Sequence, residues 1–230
     1  MKHIPRFYIE EALSQNKKII LSDSQQHHAF TVLRLSNNDV LHVFNDTYGE
    51  WSAHVAERKA IICDDILINP RKENGGSIAI CLIHPSKFSF VLEKCTELGV
   101  SEIIPIISQY SQYKTINYEK CMQTILSACE QCCRLSFPKL SNVISLPDFL
   151  KNFPNDRSLL IGDTIDNPNT VKDVVDSNSV FLIGPEGGFS ETERTLFNQY
   201  DFIKTFHYGN NVLRSETAAI AFLSCWNELS

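Results

Sequence analysis

The sequence predicts an α/β protein in which a small domain of short strands precedes a larger domain built on a parallel sheet. Three observations carry that expectation. The chain up to about Ile68 holds short strand-like runs separated by turn signals such as Asn45-Asp46 and Tyr48-Gly49, the spacing of a small β-barrel. The stretch Asn69-Pro70-Arg71-Lys72-Glu73-Asn74-Gly75-Gly76 has the composition of a linker. Beyond it, apolar strand-like runs mostly alternate with helical segments, the order expected of parallel strands joined by helices. Domains are therefore expected over residues 1–69 and 77–230, with a linker over 70–76.

In the first domain the strands are expected at Phe7 to Glu10, Lys17 to Leu21, Val40 to Phe44, Trp51 to Glu57 and Ile61 to Ile68. A helix from about Ser24 to Leu33, capped by Asp23, interrupts them. In the second domain strands are expected near Ile78 to Ile83, Glu102 to Ile107, Leu159 to Gly162, Val180 to Ile183 and Phe202 to His207. A helix is expected from about Tyr118 to Arg134.

The most informative stretch runs from Val180 to Glu193. Val180-Phe181-Leu182-Ile183 is a short continuous apolar run, as in a strand buried on both faces. Gly184-Pro185-Glu186-Gly187-Gly188 continues neither strand nor helix, since proline fixes one φ and the glycines free theirs. Ser190 then stands three residues before Glu193, the capping-box spacing that starts a helix. A backbone bare of side chains at the carboxyl end of a parallel strand lets a small molecule approach the main chain, although a tight structural turn has the same composition. A second strand, loop and helix follows from Phe206 into Ala219, with Ser215 as a candidate N-cap and Glu216 in the first turn. Arg214 opposes the helix dipole, which points to another task for it.

Composition narrows the function classes. At 230 residues with 43% hydrophobic content, the chain can bury a sizeable core. Its start has no apolar signal region and no run approaches a membrane span, so a cytoplasmic protein is expected. The eight cysteines read as reduced thiols. Cys129, Cys132 and Cys133 cluster without a second ligand pair, so no metal site is expected. Of seven histidines, His3, His27, His28, His42 and His54 lie in the first domain, and none is assigned chemistry. Phe44, Tyr48 and Trp51 fit hairpin packing better than base stacking. A net charge of −6 argues against indiscriminate nucleic-acid binding but allows selective contact through a few arginines. There is no G-x-x-x-x-G-K-[ST] segment and no G-x-G-x-x-G fingerprint, which speaks against phosphate-handling and hydride-transfer enzymes.

Taken with other segments, these two motifs resemble the RsmE family of ribosomal RNA methyltransferases in the SPOUT superfamily. The family's GPEGGFS..E is met by Gly184 to Glu193, and its LG..ILR.ETA by Tyr208-Gly209-Asn210-Asn211-Val212-Leu213-Arg214-Ser215-Glu216-Thr217-Ala218, with Tyr208 in place of leucine. Lys94 to Val100 is similar to KATELGV, and Ala128 to Arg134 to AxEQxxR. His28 to Arg34 is similar to H..xVLR. The chain departs from the family at Ser108-Gln109-Tyr110, where an arginine is usual, and in thinned basic residues around His84 and Lys87.

The resemblance implies a PUA-like barrel for RNA, then a trefoil-knotted domain binding S-adenosyl-L-methionine. It implies methylation of N3 of a uridine in small-subunit ribosomal RNA, by a homodimer acting on the assembled subunit. Cofactor contacts are expected from Leu160, Ile161, Gly162, Ile183, Gly184, Pro185, Glu186, Gly187, Gly188, Tyr208, Gly209, Val212 and Leu213, and a bulky residue at Gly187 is expected to fill the loop. Arg134, Arg214 and Glu216 are the catalytic candidates, with helix capping the plainer role for Glu216; Arg34 and then Arg6 are the candidates for RNA contact. The alternatives are a related methyltransferase with another RNA target, or a non-catalytic RNA-binding or assembly protein of the same fold.

Overall fold

The computed structural model describes residues 4–57, 59–71, 75–162, 169–207, 209 and 211–229. The chain divides into two units: Met1–Lys72 with Cys129–Phe137, and Glu73–Ala128 with Pro138–Ser230.

The first unit is a five-stranded sheet of β1 (Arg6–Tyr8), β2 (Lys18–Ile20), β3 (Val40–Asn45), β4 (Gly49–Glu57) and β5 (Ala60–Ile68), in the order β1-β3-β4-β5-β2. Only β1 runs parallel to its neighbour; the other pairings are antiparallel. Alternate residues such as Leu41, Val43, Ala53 and Val55 are buried in one core cluster with Phe7, Ile19 and Ile61, as the two-residue period of a strand requires. The β3–β4 hairpin closes on Asn45, whose Oδ1 accepts from the backbone of Thr47 and Tyr48 at 3.1 and 2.7 Å. Gly49 ends that turn at φ +77, where a β carbon would lie 2.1 Å from the Ile68 carbonyl oxygen. Phe44 is buried, and the Trp51 indole packs on the core and donates to the Tyr48 carbonyl at 2.8 Å.

The helix expected from Ser24 to Leu33 is present over Asp23–Val32, but it is differently capped and is not α-helical throughout. Helix α1 (Asp23–Gln26) is started by Ser22, not Asp23: Ser22 Oγ accepts from Gln25 N, and the Gln25 side chain accepts from Ser22 N. This reciprocal pair satisfies two backbone donors at once, and Asp23 sits in the first turn, where its charge favours the dipole. The segment then widens into a π-helical turn over His27–Val32, in which Leu33 N donates to His28 O five residues back.

The second unit holds β6 (Ser77–Cys81), β7 (Glu102–Ile107), β8 (Lys139–Leu140), β9 (Ile144–Ser145), β10 (Leu159–Gly162), β11 (Val180–Ile183) and β12 (Ile203–Phe206). The order is β12-β10-β11-β6-β7-β8, with β9 also paired to β7, and every pairing is parallel. Every residue of β6 and β11 is buried, as expected of parallel strands covered on both faces. The sheet runs from β6 outward to β7 and β8, then returns on the other side of β6 through β11 and β10. Ligand sites of open α/β sheets lie at the carboxyl ends of strands where the order reverses in this way.

The connecting helices are α2 (Pro85–Glu97), α3 (Tyr118–Cys132), α4 (Leu146–Lys151), α5 (Val171–Val174), α6 (Glu191–Phe197) and α7 (Ser215–Leu229). His84 caps α2 through Nδ1, with Pro85 in the first turn. Gly99 at φ +82 ends that helix, a conformation glycine adopts without a steric penalty. Helix α3 stops at Cys132, one turn residue short of Arg134, because Cys133 is left-handed at φ +61. On α7, Phe222 stacks on Phe181 at 5.1 Å and meets Phe206 edge-on at 5.1 Å. Trp226 of the same helix covers Gly76, where a β carbon would come within 3.1 Å of the indole.

None of the eight cysteines is in a disulfide, and burial pushes the Cys81 thiol up to about 12. Among the described residues there is no group of three or more His, Cys, Asp or Glu able to hold a metal ion, and no helix is long and apolar enough to cross a membrane.

Candidate functional site

The strand order explains why one cleft forms. Strand β10 lies between β12 and β11, with Gly162 beside Phe206 and Ile161 beside Leu182. The carboxyl ends of β10 and β11, Gly162 and Ile183, therefore lie side by side. They border a cleft of about 550 Å³, within the range of small-molecule and cofactor sites.

One wall is the end of β11 and the turn after it: Leu182, Ile183, Gly184, Pro185, Glu186 and Gly188, followed by Phe189. Gly188 N donates to the Pro185 carbonyl at 2.9 Å with Gly188 at φ +69, which closes the turn. Ser190 and Glu193 form the expected capping box on α6: Ser190 N and Oγ both donate to Glu193 Oε2, and Glu193 N donates back to Ser190 Oγ. The second carboxylate oxygen of Glu193 accepts from Gln109 N at 2.7 Å. The turn Ser108–Ser111, itself closed by Ser108 N donating to Ser111 Oγ, is thereby fastened to the base of the glycine loop.

The opposite wall is Asn211, Val212, Leu213, Arg214 and Ser215, with Ala218 and Phe222 from α7. Ser215 differs from expectation. It lies inside α7, and the Arg214 carbonyl accepts the first helical bond, from Ala218 N. The Ser215 hydroxyl donates instead to the Gly184 carbonyl at 2.7 Å. The two sequence motifs are thus tied to each other by one hydrogen bond. Gly162 forms part of the floor, where a β carbon would lie 3.1 Å from the Phe222 ring. A β carbon at Gly184 would lie 3.1 Å from the Phe189 ring. The glycines therefore keep open a space that any side chain would narrow, and the residues present fit a nucleoside-sized cofactor with an apolar ring and a charged tail.

Charge lies on the cleft's rim. Lys87, Arg194 and Arg214 border it, and Glu186 faces Lys87 at 2.9 Å. The Lys87 ammonium, donating to Glu186, holds that carboxyl below its ordinary value.

Of the expected cofactor residues, the cleft gathers Gly162, Ile183, Gly184, Pro185, Glu186, Gly188, Val212 and Leu213. Leu160 and Ile161 are buried strand residues and do not line it. Gly187 faces away: a β carbon there would meet Tyr110 at 3.4 Å, so a bulky residue would press on Tyr110 before it filled the cleft. Gly209 is left-handed at φ +68 and outside the lining. Tyr208 lies outside the described residues. Sequence reading missed Lys87, Leu182, Phe189, Arg194, Asn211, Ser215, Ala218 and Phe222 as lining residues. A helical signal was present for some of them, since Ser215, Ala218 and Phe222 are spaced to share one face of α7.

The arginines separate sharply. Arg214 is exposed and borders the cleft. Arg34 is exposed in the first unit, held at φ +56 just past the π-helical turn. Arg6 corrects the expectation of an RNA contact. It is buried, bonds Glu50 through Nε and Nη2 at 3.1 and 2.9 Å, and lies 4.1 Å from the Phe44 ring centroid. Its Nη1 also donates to the Cys129 and Glu130 carbonyls in the last turn of α3, groups that a helix end leaves without internal partners. Arg134 is likewise buried in the first unit and is not among the residues that line the cleft. Glu216 follows Arg214 in the first turn of α7; its Oε2 is buried without a hydrogen-bond partner among the described residues, and the residue is not part of the lining.

Comparison with known proteins agrees with this geometry. Residues 72–227 match the RNA methyltransferase domain model, and residues 21–66 match the RNA methyltransferase PUA domain. The chain is 32% identical over 228 residues to the ribosomal RNA small subunit methyltransferase E of Rickettsia conorii, covering 95% of this chain and 93% of that protein. It is 32% identical to the protein of the same name from Buchnera aphidicola subsp. Schizaphis graminum, covering 97% and 95%. The crystal structure of the Neisseria gonorrhoeae ribosomal RNA small subunit methyltransferase E bound to S-adenosyl methionine superposes with a TM-score of 0.84 at 27% identity, covering 99% of this chain and 98% of that one. A Legionella pneumophila methyltransferase with bound cofactor superposes with a TM-score of 0.85 at 26% identity, covering 98% of each chain. A parallel sheet with a cleft bordered by Gly162, the glycine turn after β11 and the start of α7, matched along nearly the whole chain by these relatives, places this protein in the ribosomal RNA small subunit methyltransferase E family.

Proposed function

We propose that this protein is a cytoplasmic, S-adenosylmethionine-dependent methyltransferase that methylates N3 of a uridine in small-subunit ribosomal RNA, as a homodimer acting on the assembled subunit. The observation that carries the reading is the cleft itself, in which the glycine turn after β11 is joined to the start of α7 by the Ser215 bond to the Gly184 carbonyl. The trefoil knot implied by the family resemblance belongs to the same reading.

The bound cofactor supplies an electrophilic methyl on sulfonium sulfur. The protein's share is to hold the uracil in line with that methyl and to make N3 nucleophilic, since N3 carries a proton at neutral pH. Alignment alone is worth on the order of 7 to 11 kcal/mol. Leu182, Ile183, Val212, Leu213 and Phe222 offer apolar surface to the adenine ring. Arg214 is assigned to the uracil oxygens, where a guanidinium stabilises the negative charge that develops as the N3 proton leaves. Glu216 is assigned as the proton acceptor: its Oε2 is buried, outside the cleft lining and without a described partner, and the assignment has the incoming substrate open the start of α7 and supply the missing N–H donor. Arg34, exposed on the first unit, is assigned to RNA phosphate.

The test is methyl transfer from labelled S-adenosylmethionine to small ribosomal subunits from cells lacking the protein, with the product nucleoside identified by mass spectrometry. N3-methyluridine is expected. Transfer to another base or another RNA would refute the target, and measurable cofactor binding without any transfer would refute the catalytic reading. Glu216→Gln is expected to abolish transfer while binding cofactor. Arg34→Ala is expected to spare the cofactor, weaken RNA binding and lower the salt dependence by about one counterion.

A further inference from the structure

The ion pair on the cleft rim joins two segments far apart in the chain. Lys87, in the first turn of α2, donates from Nζ to Glu186 Oε1 at 2.9 Å, and Glu186 is the middle residue of the glycine loop. Both line the cleft, and their side chains are 36% and 40% exposed. Glu186 is the one carboxylate among the described lining residues. A pair this open to water contributes little to stability. Breaking it therefore costs little, and a ligand offering one charge of each sign would return two charge-assisted hydrogen bonds.

We propose that Lys87 and Glu186 are the receptor for the amino-acid end of the adenosyl cofactor, with Glu186 accepting from the α-ammonium and Lys87 donating to the α-carboxylate. The inference rests on the reading of the cleft as an S-adenosylmethionine site. The two side chains, already held at hydrogen-bond distance, complement a zwitterion whose own charges sit on one carbon and its carboxyl group. The apolar part of the cleft, from Leu182, Ile183 and Phe222, is left to the purine. The pair is thus a specificity-determining element, which separates ligands carrying the charged tail from adenine nucleosides that lack it.

Titration calorimetry with S-adenosylhomocysteine and with 5′-methylthioadenosine, the same nucleoside thioether without the amino-acid tail, tests the assignment. Wild-type protein should bind the homocysteine compound at least about tenfold more tightly. Lys87→Met and Glu186→Gln should each remove about tenfold of that affinity while leaving methylthioadenosine binding within about twofold of wild type. Equal wild-type affinities for the two compounds would overturn the proposal without any variant being made. Variants that keep full affinity for the homocysteine compound, or that lose both ligands alike, would also overturn it. Wild-type protein that bound neither compound would refute the cofactor reading of the cleft itself, a failure distinct from the others.

Discussion

In the five-stranded sheet the ionic groups are drawn inward, with Arg6 and Glu50 paired almost out of reach of water and His42 Nδ1 2.8 Å from the same carboxylate. In the seven-stranded sheet they are set beyond the strand ends, where Lys87, Glu186, Arg194 and Arg214 border the cleft. The cause is the burial of each sheet. Strands β6 and β11 are covered on both faces and leave no site for a charge along their length. Strands β1, β3 and β4 alternate, and a charge turned inward there must bring its own partner. A cation in the first unit is therefore as apt to be structural as functional, while one beyond a parallel strand is available to a ligand.

The sharpest way to break this comparison is Arg6→Ala. It leaves Glu50 buried without its guanidinium and frees two carbonyls at the end of α3, and should cost about 3–5 kcal/mol in denaturant unfolding. The paired replacement Arg6→Met with Glu50→Leu should recover most of that loss. If Arg6→Ala instead left stability intact and weakened only RNA binding, the inward reading of the first sheet would be wrong.

Gly162→Val tests the other sheet. Phe222 is held between Phe181 and Phe206 and cannot yield to a side chain placed 3.1 Å from its ring. About 1–3 kcal/mol of overpacking is expected, and the larger effect should be loss of S-adenosylhomocysteine binding in calorimetry. Ser215→Ala should cost about 1 kcal/mol and weaken cofactor binding several-fold, because the two loops lose their shared hydrogen bond. Unchanged affinity in Ser215→Ala would show that the loops hold their positions independently.

The two units should also answer acid differently. Burial raises the Glu130 carboxyl in the first unit, outweighing the bond from Tyr8 N and the Arg6 charge. Its contribution is present below the unfolded value of about 4.3 and is lost as pH rises through the raised folded value. Glu102 in the second unit is also pushed up by burial, but bonds from Lys139 and Ser141 outweigh this and leave it lowered. Its contribution is present above about 4.3 and is lost as pH falls through the lowered folded value. Denaturation across pH should therefore show Glu130→Gln gaining on wild type as pH rises past that value and Glu102→Gln losing. Slopes of the same sign would remove the contrast.

What the sequence made legible was local. Strand β11, the glycine turn and the Ser190–Glu193 capping box could be read because each signal lies within a few residues of its partner. Arg6 could not, since Glu50 is 44 residues away and the Cys129 carbonyl 123 residues away. Ser215 was misread for a similar reason: serine at a helix start is a common cap, and nothing nearby marks the Gly184 carbonyl as the better acceptor. Phe189 and Phe222 became cleft walls only through the sheet order, which brings the ends of β10 and β11 together.

The carboxylate of Glu193 has a further consequence, for the way the molecule opens. It accepts from Ser190 N on one side and from Gln109 N on the other, and is itself nearly buried. Neither amide can be released without disturbing the group that holds the other. In hydrogen-exchange measurements, Gln109 and Ser190 should therefore lose protection together, as members of one cooperative opening unit. Glu193→Ala should merge both into the fast-exchanging loops, while amides in the middle of β6 keep the protection of the global fold.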